Sequence, residues 1–124
     1  MGRGTYEPAP AANVTSPYAH MRQYVVSTTL GEITDPSVEL VTGDPIDLVR
    51  RLTAEETGKD VWLAGGGTLA ALLPEIDELI IKSYPVVAGA DISALSGEFR
   101  PTLFTPTQTE TFSSGARVTR FTRS

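Results

Sequence analysis

VWLAGGGTLAALLPEIDELIIKSYPVVAG, residues 61–89, is the stretch on which the fold turns. Val61 to Ala64 is a short apolar run that ends on three consecutive glycines, Gly65, Gly66 and Gly67. Thr68 to Leu73 then fits a short helix and Leu79 to Tyr84 a second strand. Strand, tight turn, helix and strand within about thirty residues make a βαβ unit, whose crossover is expected to be right-handed and whose strands are expected to be parallel and buried. Trp62, on the first of these strands, is then a core residue.

The glycine triplet costs unfolded-state entropy, so its position asks for something that only glycine supplies. One such thing is close approach of the backbone to a pyrophosphate or a ring, with the N–H groups of the next helix meeting an anion. Tight strand-to-helix packing is another, and the triplet alone does not choose.

Upstream, MGRGTYE (residues 1–7) offers a second glycine-bearing loop. The Arg3 guanidinium can grip phosphate bidentately and the Thr5 hydroxyl is a further donor. Two such loops suggest the two phosphates of a dinucleotide, although the pattern is not the G-x-G-x-x-G fingerprint of doubly wound folds. Between the loops, RQYVVSTTL (residues 22–30) predicts a buried strand over Tyr24 to Thr29. It ends in Ser27, Thr28 and Thr29, small donors suited to a ribose or its 2′-phosphate.

EPAPAANVTSP (residues 7–17) predicts a loop or a single helical turn, and a second strand fits Val38 to Thr42. Asp44 as N-cap and Pro45 at the first helical position start a helix; Ile46, Leu48, Val49 and Leu52 give its apolar stripe, and Gly58 is placed to close it. Residues 86–101 are loop-like. Strands over Leu103 to Phe112 and Ala116 to Thr122, joined by Ser113, Ser114 and Gly115, predict a C-terminal antiparallel hairpin.

Length and composition bound the rest. A chain of 124 residues is one domain, 1–124, with room for a single core. Apolar residues at 40% and charged residues at 20% exclude a disordered chain. A net charge of −5 with scattered basic residues gives no footprint for nucleic acid. Arg117, Arg120 and Arg123 form either an anion site or the solvated ends of a strand. With no cysteine and one histidine, His20, a transition-metal site is not expected. Glu75, Asp77 and Glu78 allow a metal or general-acid site, or a solvated turn. No apolar run is long enough for a membrane span and no signal peptide is visible, so the cytoplasm is the expected location.

Taken together, M-G-R-x-T-Y-E, the V-x-S-x-T strand end, strand-G-G-G-helix, and D-E-L leading to P-V-x-x-G resemble the dihydrofolate reductase superfamily. The chain is most similar to the bacterial branch that includes the reductase domain of riboflavin biosynthesis. That resemblance spans essentially the whole chain and implies an α/β fold with a mixed, mainly parallel sheet flanked by helices. It implies hydride transfer from NADPH, with NADH possible, to a pterin or pyrimidine-derived substrate. Carried over, Gly2, Arg3, Gly4 and Thr5 meet the cofactor phosphates, Ser27 and Thr28 flank the adenosine ribose, and Gly65, Gly66, Gly67, Thr68 and Leu69 lie against the nicotinamide and pyrophosphate. A cis peptide is expected at Gly65–Gly66. Thr28 stands where relatives carry arginine, and residues 88–99 lack their Pro-Leu-Phe.

The resemblance begins partway into that fold. A first strand, a mobile loop over the substrate and a helix precede M-G-R in the family, and the strand lies between the counterparts of Val61–Ala64 and Leu79–Tyr84. Its ladder of roughly ten bonds at about 1 kcal/mol each rivals the total stability of a domain. A homodimer that repairs the exposed sheet edges is the expected assembly; a non-catalytic nucleotide-binding or dimerising remnant is the alternative to an enzyme.

Overall fold

The computed structural model describes residues 1–65, 72–90, 93–95 and 100–124. The chain divides into two compact units, Met1–Leu72 with Ala94–Gly97, and Leu73–Ser93 with Glu98–Ser124.

In the first unit α1 (Arg3–Tyr6) and α2 (Pro8–Ala11) are single helical turns, followed by β1 (Gln23–Val26), β2 (Val38–Val41) and α3 (Pro45–Thr53). β1 and β2 pair in parallel, from Gln23↔Val38 to Val26↔Val41. The alternation of β1 turns Val25 inward, where it is fully buried with Tyr6 and Val38, and Met1, Leu30 and Ile33 pack around them. Each such side chain stabilises by about 1.5–3 kcal/mol when taken out of water. Gln23 is buried as well, and its amide is satisfied: Nε2 donates to Ser16 Oγ at 2.7 Å and Oε1 accepts from the Tyr18 N–H at 2.9 Å.

Met1 and Gly2 extend this sheet. The Met1 amine donates to the Tyr24 carbonyl at 2.8 Å, the Val26 N–H donates to the Met1 carbonyl at 2.8 Å, and Gly2 bridges Val26 in parallel. Residues 2–5, expected as a loop, are instead the N-cap Gly2 and the first residues of α1, and they are thereby anchored directly on β1.

α3 starts as its sequence predicts, with Asp44 Oδ1 accepting from the Ile46 N–H at 2.8 Å. It ends at Thr53, well short of Gly58. Thr53 Oγ1 bonds back to the carbonyls of Val49 and Arg50 at 3.0 and 3.1 Å, and the Ala54 N–H closes the last turn on the Arg50 carbonyl at 3.1 Å. Gly58 adopts φ +65° further on, where it turns the loop rather than capping the helix.

Val61 to Ala64 is not a strand, contrary to the βαβ reading. Trp62 is 66% exposed rather than core, with Val61 at 44%. An apolar run becomes a strand only when a neighbour supplies the other half of its ladder, and among the described residues none does. The expected helix Thr68–Leu73 and the cis peptide at Gly65–Gly66 fall largely or wholly outside the described residues; Leu72 to Glu75 form a 3₁₀ turn.

The second unit is a three-stranded antiparallel sheet in the order β3 (Glu78–Ser83), β5 (Arg117–Arg123), β4 (Phe104–Thr111). The hairpin β4–β5 matches its prediction. Its turn closes with Gly115 N–H on the Phe112 carbonyl and Phe112 N–H on the Ala116 carbonyl, both 2.9 Å. Gly115 needs φ +81°, a conformation that suits glycine. β3 departs from expectation: it pairs antiparallel with β5 and is largely exposed. The mainly parallel sheet is therefore corrected to one parallel pair and one antiparallel sheet among the described residues, because β3 takes its ladder from the C-terminal hairpin.

Arg123 ties the turn ahead of β3 to this sheet. Its Nε donates to the Ile76 carbonyl at 2.8 Å, its Nη2 donates to the Leu73 carbonyl, and its guanidinium lies 5.1 Å from the Phe104 ring centroid. Arg120 Nη1 meets Glu78 Oε2 at 2.7 Å. Two of the three C-terminal arginines thus hold the sheet together, which removes them from an anion site.

Candidate functional site

Three segments of the first unit carry the residues expected to hold a dinucleotide, and side chains bring them together. The anchoring of Met1–Gly2 on β1 sets Arg3 beside the turn that follows this strand. Arg3 Nη1 donates to Thr29 Oγ1 at 2.8 Å, across 26 positions of sequence. Glu7, one helical turn on, pairs with Arg3 Nε at 3.6 Å. Both side chains are about half exposed, so the pair contributes little stability; it orients a guanidinium whose Nη2 takes no partner among the described residues.

The Ser27–Thr29 turn is built by Ser27. Its N–H continues the β1–β2 ladder to the Val41 carbonyl at 3.0 Å. Its Oγ accepts from the N–H groups of Thr29 and Leu30 at 3.2 and 2.9 Å. Such a side-chain-to-backbone turn is what serine offers at a strand end. The Thr28 and Thr29 side chains are left at the surface beside Arg3.

Gly65 joins the cluster through Thr5. It sits at φ +64°, and a Cβ there would lie 2.6 Å from Thr5 Oγ1 and 3.3 Å from Thr5 Cγ2. The first glycine of the triplet is therefore packed against the loop that begins M-G-R, and no larger residue fits without displacement. Gly2 and Gly4 are the reverse case: a Cβ on either would meet nothing within 4 Å, and neither has positive φ. The chain itself makes no demand for glycine at those two positions.

Of the expected site residues, Gly2, Arg3, Gly4, Thr5, Ser27, Thr28 and Gly65 thus fall in one neighbourhood. Gly66, Gly67, Thr68 and Leu69 lie outside the described residues. Thr29 and Glu7 were not singled out as Arg3 partners in the sequence. The Arg3–Glu7 spacing of four on a helical turn was a usable signal; the Arg3–Thr29 contact is long-range and had none.

A cleft of about 200 Å³ lies behind Tyr6, lined also by Thr15, Leu30 and Ile33. It is smaller than the ~300–1,000 Å³ of sites that enclose a ligand, and Arg3 and Gly65 do not line it.

No family model matches the chain, and no curated protein matches it. Among solved structures, a crystal structure of a candidate riboflavin biosynthesis protein from Shewanella sp. PV-4 superposes with a TM-score of 0.82 at 25% identity, covering 100% of this chain and 72% of that one.

The chain has a riboflavin-biosynthesis-like fold.

Within that riboflavin-biosynthesis-like fold, mixed α/β in class, the arginine and the hydroxyl turn meet just past the end of β1, and the packed glycine adjoins them through Thr5. No helix of the described residues is long and apolar enough to cross a membrane.

Proposed function

We propose that this chain is an NADPH-dependent reductase domain of the dihydrofolate reductase superfamily, of the riboflavin-biosynthesis type, with NADH as the second possible cofactor. Its substrate is a pterin or a pyrimidine derivative, the phosphoribosylaminouracil of riboflavin synthesis being the first to test. We take its two compact units as parts of one domain, working in the cytoplasm. The observation that carries the reading is the contact of Gly65 with Thr5. Two glycine-bearing segments that are sixty positions apart in sequence adjoin, so a diphosphate lying across both would meet groups from each.

The residues fit such a group. Gly2 and Gly4 leave room where a Cβ would stand, so ligand atoms can approach the backbone. Arg3 has a guanidinium edge for phosphate, and Ser27, Thr28 and Thr29 offer hydroxyls for a ribose. The dinucleotide, when bound, supplies the hydride; the chain's own part is to bind and orient it.

A second reading has its own observation. Trp62 is 66% exposed and Val61 to Ala64 is unpaired, which suits a module that binds a nucleotide or dimerises without turnover. Titration with NADPH, followed by Trp62 fluorescence, tests binding, and oxidation of NADPH in the presence of the phosphoribosylaminouracil tests turnover. The reductase reading expects micromolar quenching with energy transfer, together with substrate-dependent oxidation. Binding without oxidation favours the module; no quenching up to millimolar NADPH ends the reductase and the nucleotide-binding module and leaves only a dimerising one.

A further inference from the structure

In dinucleotide sites of doubly wound folds an arginine beside the adenosine ribose accommodates a 2′-phosphate, whereas a carboxylate there suits the free 2′-hydroxyl. That chemistry does not depend on the fold, and this chain brings both groups to one spot. Arg3 Nη1 donates to Thr29 Oγ1 at 2.8 Å, on the hydroxyl turn that follows β1. Glu7 Oε1 stands 3.6 Å from Arg3 Nε. Thr28, beside Thr29 in that turn, brings no charge of its own.

The backbone holds this ion pair in place. The Glu7 N–H donates to the Arg3 carbonyl at 2.9 Å, which closes one helical turn and sets the two side chains on the same face. They are 48% and 52% exposed, so the pair adds little to stability and leaves the guanidinium within reach of a ligand. Its consequence is for what Arg3 can hold. A phosphate oxygen hydrogen-bonded to either Nη stands at most about 9 Å from the Glu7 carboxylate, inside the ~10 Å screening length of 0.1 M salt. NADPH differs from NADH by its 2′-phosphate alone, which adds about −1.5 to −2 charge. The Glu7 carboxylate therefore repels NADPH more than NADH.

Resting on the cofactor reading given above, we propose that Glu7 is a specificity-determining residue of this site. Its charge offsets that of Arg3 at the 2′-position of the ribose and draws the affinities for NADPH and NADH together.

Titration with each cofactor, followed by Trp62 fluorescence, gives the ratio of the two dissociation constants, and far-UV circular dichroism verifies the fold of each variant. The wild type is expected to bind the two within about tenfold of each other. Glu7→Gln and Glu7→Ala should each move the ratio about three- to tenfold toward NADPH, since both remove the charge and only the second removes the shape. Raising the salt from about 50 to about 500 mM should shrink that shift, because screening acts on charge and not on packing. Glu32 lines the cleft behind Tyr6 together with Glu7 but has no ion pair with Arg3 among the described residues, so Glu32→Gln should move the ratio less than half as far. A wild type outside the tenfold window, a ratio unchanged by both Glu7 substitutions, an equal shift in Glu32→Gln, or a shift indifferent to salt would each overturn the assignment and leave the cofactor reading standing. Failure of both cofactors to quench any variant ends the cofactor reading itself, and the assignment falls with it.

Discussion

Gly65 and Thr5 occupy one another's space: only the missing Cβ of Gly65 lets the Thr5 hydroxyl stand where it does, 2.6 Å from where that carbon would be. Gly65→Ala should therefore cost roughly 2 kcal/mol or more, from the left-handed backbone and the overlap together. Adding Thr5→Ala removes the clashing atoms and leaves only the backbone cost. Urea melts of the two single variants and the double should show a coupling of about 1 kcal/mol in favour of the double; strict additivity would mean that the two loops do not touch.

Gly4 lies in α1 with open space around its Cα. Replacing glycine by alanine in a helix normally stabilises by about 0.5–1 kcal/mol. Gly4→Ala should thus melt at or above the wild-type temperature while binding NADPH at least about tenfold more weakly, a loss of ~1.4 kcal/mol. Differential scanning calorimetry beside the fluorescence titration separates the two effects, and unchanged affinity would remove Gly4 from the cofactor site.

Arg123 spans two carbonyls that no other side chain reaches among the described residues, those of Leu73 and Ile76. Hydrogen bonds from a charged donor are worth about 1.5–3 kcal/mol, so Arg123→Ala should destabilise by roughly 2–3 kcal/mol. Arg123→Lys should recover less than half of that, because a single ammonium cannot reproduce the planar fork. Chemical denaturation with circular dichroism reads both, and equal stability of Lys and Arg variants would mean charge alone matters.

Asp35 carries a pH dependence. Its carboxylate accepts from Ser37 Oγ at 2.6 Å, from Thr15 Oγ1 at 2.6 Å and from the Ser37 N–H at 2.9 Å, which holds its pKa below the ordinary 3.8. The folded state then binds fewer protons than the unfolded one in acid. The stabilisation is complete above pH 3.8 and fades as pH falls through the lowered folded value. Asp35→Asn should flatten that part of the stability profile, as measured by urea midpoints from neutral pH down to about pH 3; an unchanged acid slope would assign it to other carboxylates.

Elements whose hydrogen bonds stay local were legible before any coordinates. Asp44 and Pro45 start α3 because the partners lie two residues apart, and Gly115 turns the β4–β5 hairpin because the closing bonds run between Phe112 and Ala116. β1 and β2 were legible from their β-branched runs, but β1 stops at Val26, three residues short of the expected Thr29, because Ser27 turns the chain there. Gly58 does not cap α3 because a glycine can cap a helix only if the helix reaches it, and this one already closes with the Ala54 N–H on the Arg50 carbonyl and the Glu55 N–H on the Leu52 carbonyl.

Amino-acid order by itself determined the start of α3, the Gly115 hairpin turn and the Arg3–Glu7 pair, since each depends on side-chain chemistry or on contacts within a few positions. Tertiary structure alone decided that Val61–Ala64 stays unpaired, that β3 runs antiparallel to β5, that Trp62 faces solvent, and that Thr29 rather than a nearer residue receives Arg3. Those outcomes rest on which distant strand or side chain arrives as a partner. A strand carries the same unpaired N–H and C=O groups whichever neighbour meets them, so its own residues do not name that neighbour.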